Sequence, residues 1–282
     1  MTTALITHND GLSHQTPVGH PESVNRLESI FDRLEMPDFK MLKRVNAPIG
    51  KIEDIIRAHP IEHVKNLKKL IPKEGIVGID GDTYMSSGSF KAALRGVGAV
   101  TKAIDLVMEK KVNNAFCAMR PPGHHAERTN AMGFCLFGNV GIGAKYLLQK
   151  YKLNRVAVVD FDVHHGNGTQ DLLWDEPNAL FISMHQMPLF PGTGASSETG
   201  GSNNILNIPL AAGTDGINAI NIIKAVVIPR LKSFSPDFIL LSSGFDAHKN
   251  DPLANLNWTT EDFKQITRLL LGAAQALTGS RL

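Results

Sequence analysis

Arg155–Val159 reads RVAVV and runs without a break into Asp160–Gly168, DFDVHHGNG. A run this short, apolar on both faces, suits a strand buried on both sides in a parallel sheet. The polar residues that follow at once then lie at the carboxyl end of that strand. Three further stretches repeat the pattern. Asn114–Met119 (NAFCAM) runs into RPPGHHA, Ala179–Met184 (ALFISM) into HQMPLFPGTG, and Phe238–Ser242 (FILLS) into SGFDAH. Helix-like segments lie between them. Ser89–Lys110 carries apolar residues at helical spacing after a Ser/Gly-rich start, and Ile217–Phe234 reads similarly, with Pro229 expected to kink or end it. Strands alternating with helices predict an α/β architecture with a mostly parallel central sheet flanked by helices. Ligands of such sheets bind beyond the carboxyl ends of the strands. All four polar clusters fall there, so four loops can converge on one pocket. No repeat, low-complexity tract or Pro/Gly/Ser linker divides residues 1–282, which reads as one domain.

The bulk numbers narrow the function. With 43% hydrophobic residues in 282, a large core is within reach, and a net charge of +2 argues against a direct nucleic-acid partner. The two cysteines, Cys117 and Cys135, lack CxxC spacing, so neither a disulfide framework nor a cysteine zinc site is expected. That usage fits a reducing compartment and predicts a cytoplasmic location. The opening MTTALITHND has no basic flank followed by an apolar core, so no signal peptide is read. No apolar run approaches the roughly 20 residues of a membrane span, so no membrane partner is expected. Oligomeric state leaves no mark in the sequence.

The chemistry begins at Asp162-Val163-His164. Residues i and i+2 of an extended chain point the same way, so an Asp oxygen and a His nitrogen can meet one metal ion. Asp246, at the end of another expected strand, supplies a third donor. Two carboxylates and an imidazole leave a position open for water and substrate, as catalytic zinc requires. A lone DxH is a weak signal, with chance spacing and a helix-capping Asp246 as the plain alternative; the convergence of strand ends is what strengthens it. The tandem His124-His125, after two prolines and a glycine, sets two imidazoles in a stiff frame, one able to act as general base toward the activated water and the other to support charge. Alone, they could equally be loop histidines bonded to backbone. Asp160, between Val159 and Phe161, is expected to be buried and so to need a partner. His164 is taken as the ligand and His165, pointing the other way, as structural. His185 and His248 read as loop or supporting residues, and His8, His14 and His20 match no metal spacing. Phe134, in Gly133-Phe134-Cys135, and Phe190, in FPGTG, could wall a narrow apolar channel or merely anchor their loops.

Taken together, GHPESVNRL, RPPGHHA, GFCLFGN, VVDFDVHHGNGTQ, FPGTG and SGFDAHKNDPL resemble the histone deacetylase and acetylpolyamine amidohydrolase superfamily, in that family's order and from about residue 8 to the C-terminus. The resemblance implies a single-domain arginase/deacetylase-like α/β fold with its active site at the strand C-terminal ends. It implies a zinc ion on Asp162, His164 and Asp246. His124 and His125 are then the catalytic pair, His125 the base, with Asp160 paired to His124 and Asn167 in the form that class II members carry where class I has aspartate. Phe134 and Phe190 become channel walls, Gly133 the residue whose carbonyl meets the substrate amide, and Arg26 the internal-cavity arginine. A structural potassium ion is implied around Asp160, Asp162, His164, Ser183 and Met184. Gly166 stands where ureohydrolases of the same fold place a further aspartate, which favours a single metal.

The implied reaction is deacetylation of an acetyl-lysine type amide by metal-activated water. The implied partner is an acetylated lysine-containing protein, or else a small acetylated amine. Leu253 stands where a related polyamine deacetylase carries glutamate, which turns the choice toward acyl-lysine. The resemblance also implies a final strand and glycine-rich turn bearing a tyrosine. The sequence stops at Thr278–Leu282, and Tyr84, Tyr146 and Tyr151 lie in other motifs, so the expectation is a domain without that segment, with impaired activity or an acyl-lysine binding role as the alternative.

Overall fold

The computed structural model describes residues 2–282, which form two compact units meeting in sequence at Tyr146 and Leu147. The first unit is built on a parallel sheet of β1 (Thr3–Thr7), β2 (Lys43–Asn46) and β5 (Asn114–Cys117), in the order β2-β1-β5. Ala4, Leu5 and Ile6 of the central strand are buried, whereas edge strand β2, reading KRVN, is largely exposed and guarded by its charges. Between these strands come α1 (Val24–Leu34), α2 (Ile52–Ile55), α3 (Ile61–Lys69), an antiparallel hairpin of β3 (Ile76–Gly78) and β4 (Tyr84–Ser86), and α4 (Ser89–Met108). The small residues Ala92, Ala93, Gly96 and Gly98 of α4 are buried, and α4 packs on β5 and β1; a Cβ at Gly98 would stand 1.9 Å from the Pro48 carbonyl oxygen, so this glycine admits the segment after β2. β5 departs from the expectation of a strand covered on both faces. It pairs on one side only, with β1, and Phe116 is 40% exposed.

Helix α5 (Asn139–Lys150) leads to the second unit. There β6 (Val156–Asp160), β7 (Ala179–Gln186), β8 (Ile205–Leu210) and β9 (Phe238–Ser242) form an all-parallel sheet ordered β8-β7-β6-β9. Every residue of β6 and β7 is buried, as their unalternating apolar sequences require. α6 (Asn167–Leu173) follows β6, α7 (Gly216–Ile222) and α8 (Ile228–Phe234) precede β9, and α9 (Thr260–Thr278) packs on β9. α9 starts with a reciprocal cap, in which Thr259 and Asp262 each bond the other's backbone N–H. Pro229 does not end its segment, which runs on as α8 to Phe234. Residues 223–227 widen into a π turn ahead of it, which accommodates a ring that lacks an N–H and would crowd the carbonyl four residues back. No helix among the described residues is long and apolar enough to cross a membrane.

Candidate active site and metal centre

In the second unit, β6 ends at Asp160 and the chain turns at once. Asp160 is fully buried and its Oδ1 accepts the Asp162 N–H at 3.0 Å. Asp162 Oδ1 in turn accepts the His164 N–H at 2.8 Å. These two local bonds make a stair that carries both side chains to one side. Asp162 Oδ1 lies 3.1 Å from His164 Nδ1, and Asp246 Oδ2, from the loop after β9, lies 2.9 Å from the same nitrogen. The three donor atoms all fall within 4.8 Å of one another. The strand register brings the two loops together, since Asp160 of β6 pairs with Ser242 of β9.

The electrostatics fit a cation. Burial opposes the charged form of His164, but the hydrogen bonds and charges of Asp162 and Asp246 outweigh it and push its pKa up to about 10. Burial and the neighbouring Asp162 charge raise the Asp246 carboxyl. Two carboxylates held this close demand a positive charge between them. Two oxygens and an imidazole nitrogen are a donor set that zinc accepts. Gly244 is part of the site, though its importance was not legible in the sequence. A Cβ there would stand 2.0 Å from Asp162 Oδ2. The ring of Phe190, 40% exposed, meets that of His164 edge-on with centroids 6.3 Å apart.

In the first unit the segment after β5 carries the tandem histidines. His124 and His125 are both buried, with ring centroids 3.9 Å apart and planes tilted by 46°. Their frame is anchored just upstream by Arg120. Its guanidinium grips the Glu22 carboxylate through Nε and through Nη2, the latter at 2.5 Å, and donates to the Gly11 carbonyl at 3.1 Å. Glu22 is buried. Burial alone would raise its pKa, but bonds and charges from His14 and Arg120 prevail and lower it to about 2. Gly133 packs on the His125 ring at φ +54°, and a Cβ would come within 2.4 Å of His125 Cδ2. Phe134 also has positive φ, +68°, and its N–H donates to Thr83 Oγ1 at 3.0 Å.

Other residues fall into supporting places. His165 is buried between Thr193 Oγ1 at 2.8 Å and Gln170 Oε1 at 3.1 Å, the structural role expected of it. His185 bonds Ser183 Oγ and the Gly194 carbonyl, and His248 Nδ1 accepts the Asn250 N–H. Neither joins the three-donor cluster. Asn167, buried, opens α6. Asp160 and Ser183 are register partners across β6 and β7, both fully buried, with Met184 next along. Leu253 is 39% exposed. The Arg26 side chain is 57% exposed and only 4.0 Å from Glu22, so it is not an internal arginine. The buried arginine is Arg120, because it alone of the two reaches the Glu22 carboxylate from inside the fold.

Comparison with known proteins agrees with this architecture. Residues 20–282 match the histone deacetylase domain. The chain is 36% identical to histone deacetylase 14, chloroplastic, of Arabidopsis thaliana, over 93% of this chain and 67% of that protein. It is 36% identical to a probable deacetylase of Archaeoglobus fulgidus, over 100% and 79%, and 34% identical to a histone deacetylase-like amidohydrolase of Pseudomonas aeruginosa, over 93% and 69%. The crystal structure of the HDA15 HD domain matches with a TM-score of 0.91 and 31% identity, over 99% of this chain and 81% of that one. The architecture is the arginase/deacetylase-like α/β fold of deacetylases and amidohydrolases. The chain belongs to the histone deacetylase family.

Proposed function

We propose that this chain is a zinc-dependent amidohydrolase that removes the acetyl group from an acetyl-lysine type amine. The observation that carries the reading is the convergence of Asp162 Oδ1 and Asp246 Oδ2 on His164 Nδ1, at 3.1 and 2.9 Å. Zinc held by Asp162, His164 and Asp246 would supply Lewis-acid polarisation of the acyl carbonyl and of the attacking water. His125 takes a proton as water adds to the carbonyl carbon, and a proton returns to nitrogen as the C–N bond breaks, so that acetate and a free amine leave. His124, its ring tilted against that of His125 with centroids 3.9 Å apart, shares the charge of the protonated pair. Asp160, proposed as the partner of His124, and Asn167 complete the proposed catalytic set. Phe134 and Phe190 flank the alkyl chain. The Gly133 carbonyl receives the substrate amide N–H; it already accepts a weak bond from the Cys135 thiol at 3.2 Å, which leaves a lone pair for the substrate.

Leu253 offers no carboxylate to a distant ammonium, which supports acyl-lysine over an acetylated polyamine. The pairing of buried Asp160 and Ser183 supports a potassium ion beside them and Asp162, His164 and Met184. Neither Cys117 nor Cys135 forms a disulfide, which supports the cytoplasm or a similarly reducing compartment. The test is paired. Zinc bound per chain is measured directly, and kcat/KM is compared for an acetyl-lysine amide and an acetylated diamine. One zinc per chain with preference for the lysine amide is the expected result. Tight zinc with preference for the diamine would overturn the substrate, and no zinc at any pH near neutrality would overturn the mechanism.

A further inference from the structure

Two buried histidines have no part in the chemistry above. His59 lies just ahead of α3 and His63 upon it, with rings stacked at 4.7 Å and 17°. Both reach the backbone of residues 128–138, but in different ways. His59 Nε2 accepts the Gly138 N–H at 2.9 Å, so the hydrogen sits on Nδ1, which donates to the Arg128 carbonyl at 3.2 Å. His63 Nδ1 lies 3.1 Å from the Thr129 carbonyl oxygen, and its Nε2 lies 2.9 Å from that of Leu136. A carbonyl oxygen only accepts, so both bonds form only when both ring nitrogens carry hydrogen. His63 is then an imidazolium, stacked on a neutral His59.

The four bonds join the two limbs of one loop. Arg128 and Thr129 stand on one limb, Leu136 and Gly138 on the other. At the tip, Met132 and Cys135 exchange backbone bonds at 3.1 and 2.9 Å and hold out Gly133 and Phe134. One flank of the loop borders a cavity of about 400 Å³ lined by His63, Asn66, Leu67, Asp80, Thr129 and Met132. Asp80 borders the same cavity. Lys145 acts on His59, whose pKa burial lowers to about 4, with the neighbouring His63 charge helping. Glu127 meets His59 through its backbone.

We propose that His63 is a positioning residue whose ring, with hydrogen on both nitrogens, clasps the two limbs of the 128–138 loop and sets Gly133 and Phe134 for the substrate chain. The link to substrate rests on the reading of Gly133 and Phe134 as channel residues, whereas the clasp does not.

Three measurements test it. Nitrogen NMR of histidine-labelled protein reads both ring nitrogens of His63 and needs no variant, so it stands even if a variant misfolds. Amide-exchange protection of residues 128–138 is compared in the parent and His63→Gln, in which one carbonyl loses its donor. KM and kcat for an acetyl-lysine amide are measured in both proteins at one neutral pH, with metal content checked. The expected result is hydrogen on both nitrogens of His63 and lower loop protection in His63→Gln. KM should be about tenfold higher in the variant, the size of one charge-assisted bond, with kcat little changed. A single hydrogen on His63 across the pH range, or equal loop protection in both proteins, overturns the clasp. Lost protection with an unmoved KM keeps the clasp and overturns the channel role of Gly133 and Phe134.

Discussion

The Val163 N–H donates to Asp246 Oδ1 at 2.9 Å, while the other oxygen of that carboxylate lies 2.9 Å from His164 Nδ1. One side chain thus fastens the backbone of the Asp-Val-His segment and completes the donor set. The two duties separate by substitution. Asp246→Asn keeps an oxygen for the Val163 N–H and removes the charge, whereas Asp246→Ala removes both. We expect about one zinc per chain in the parent and none in Asp162→Ala, His164→Ala, Asp246→Ala or Asp246→Asn. Urea unfolding in the presence of a chelator should place Asp246→Asn within about 1 kcal/mol of the parent and Asp246→Ala lower by about 1–3 kcal/mol, because a buried N–H is left unpaired. Full zinc in the three alanine variants would remove the metal assignment.

His125→Ala should keep its zinc and lose hydrolysis by roughly 10²–10⁴-fold, the usual contribution of a positioned general base. The base removes a proton from water and is not itself a ligand, so metal content and turnover part company. Unchanged turnover would move the base role to His124.

Glu22 and Arg120 set the acid limit of the first unit. The pKa of Glu22 is about 2 in the fold against an ordinary value of 4.5. A depressed carboxylate stabilises the fold above its unfolded pKa, and that contribution is lost as pH falls from about 4.5 toward 2. The shift corresponds to about 3 kcal/mol. Urea midpoints of the parent and Glu22→Gln should differ most at neutral pH and converge as pH approaches 2. A constant difference across that range would show that the ion pair is not what Glu22 contributes. Only Pro121-Pro122-Gly123 separates Arg120 from His124, so Arg120→Lys, which keeps charge and loses the two-pronged grip, should lower kcat before it lowers stability.

The residues that were legible in the sequence share a physical reason. A short apolar run that ends in polar residues marks both a buried parallel strand and its functional end, and Phe238–Ser242 is found with the bounds its sequence suggests. The Asp162–His164 pairing was legible from its i, i+2 spacing, but it forms on the turn after β6, held by the Asp160 and Asp162 carboxylates on backbone N–H groups, and not on an extended strand. What stayed hidden depends on partners remote in sequence. Glu22 and Arg120 are 98 residues apart, and no periodicity links them, so their buried pairing left no mark in the sequence. β8 was missed because ILNIPL carries Asn207 and Pro209 within its pairing register, which breaks the apolar signal. His59 and His63 carry no motif in the sequence, and only the backbone of a distant loop explains them.

Two glycines separate the halves of the chemistry, and they provide the sharpest pair of variants. Gly133 has φ +54°, a conformation costly for any residue with a Cβ. Its missing side chain is also the space in which the His125 ring lies, with Cδ2, Cγ and Cβ at 2.4, 2.6 and 2.7 Å from the position a methyl would take. That ring cannot swing away freely, because His124 covers it at 3.9 Å. Gly133→Ala should therefore displace the base while sparing the metal donors, and a displacement of about 1 Å costs on the order of 10²-fold in rate. Gly244→Ala acts on the other half, since its methyl would meet Asp162 Oδ2 at 2.0 Å and Asp162 Cγ at 2.4 Å. It should lower zinc affinity first and turnover in consequence, with turnover partly restored by excess zinc. Zinc titration and kcat at saturating zinc distinguish the two: Gly133→Ala shows normal zinc and low kcat, and Gly244→Ala weak zinc and a recovering kcat. Zinc loss in Gly133→Ala, or an unaffected kcat there, would show that the Gly133–His125 contact does not hold the base in place.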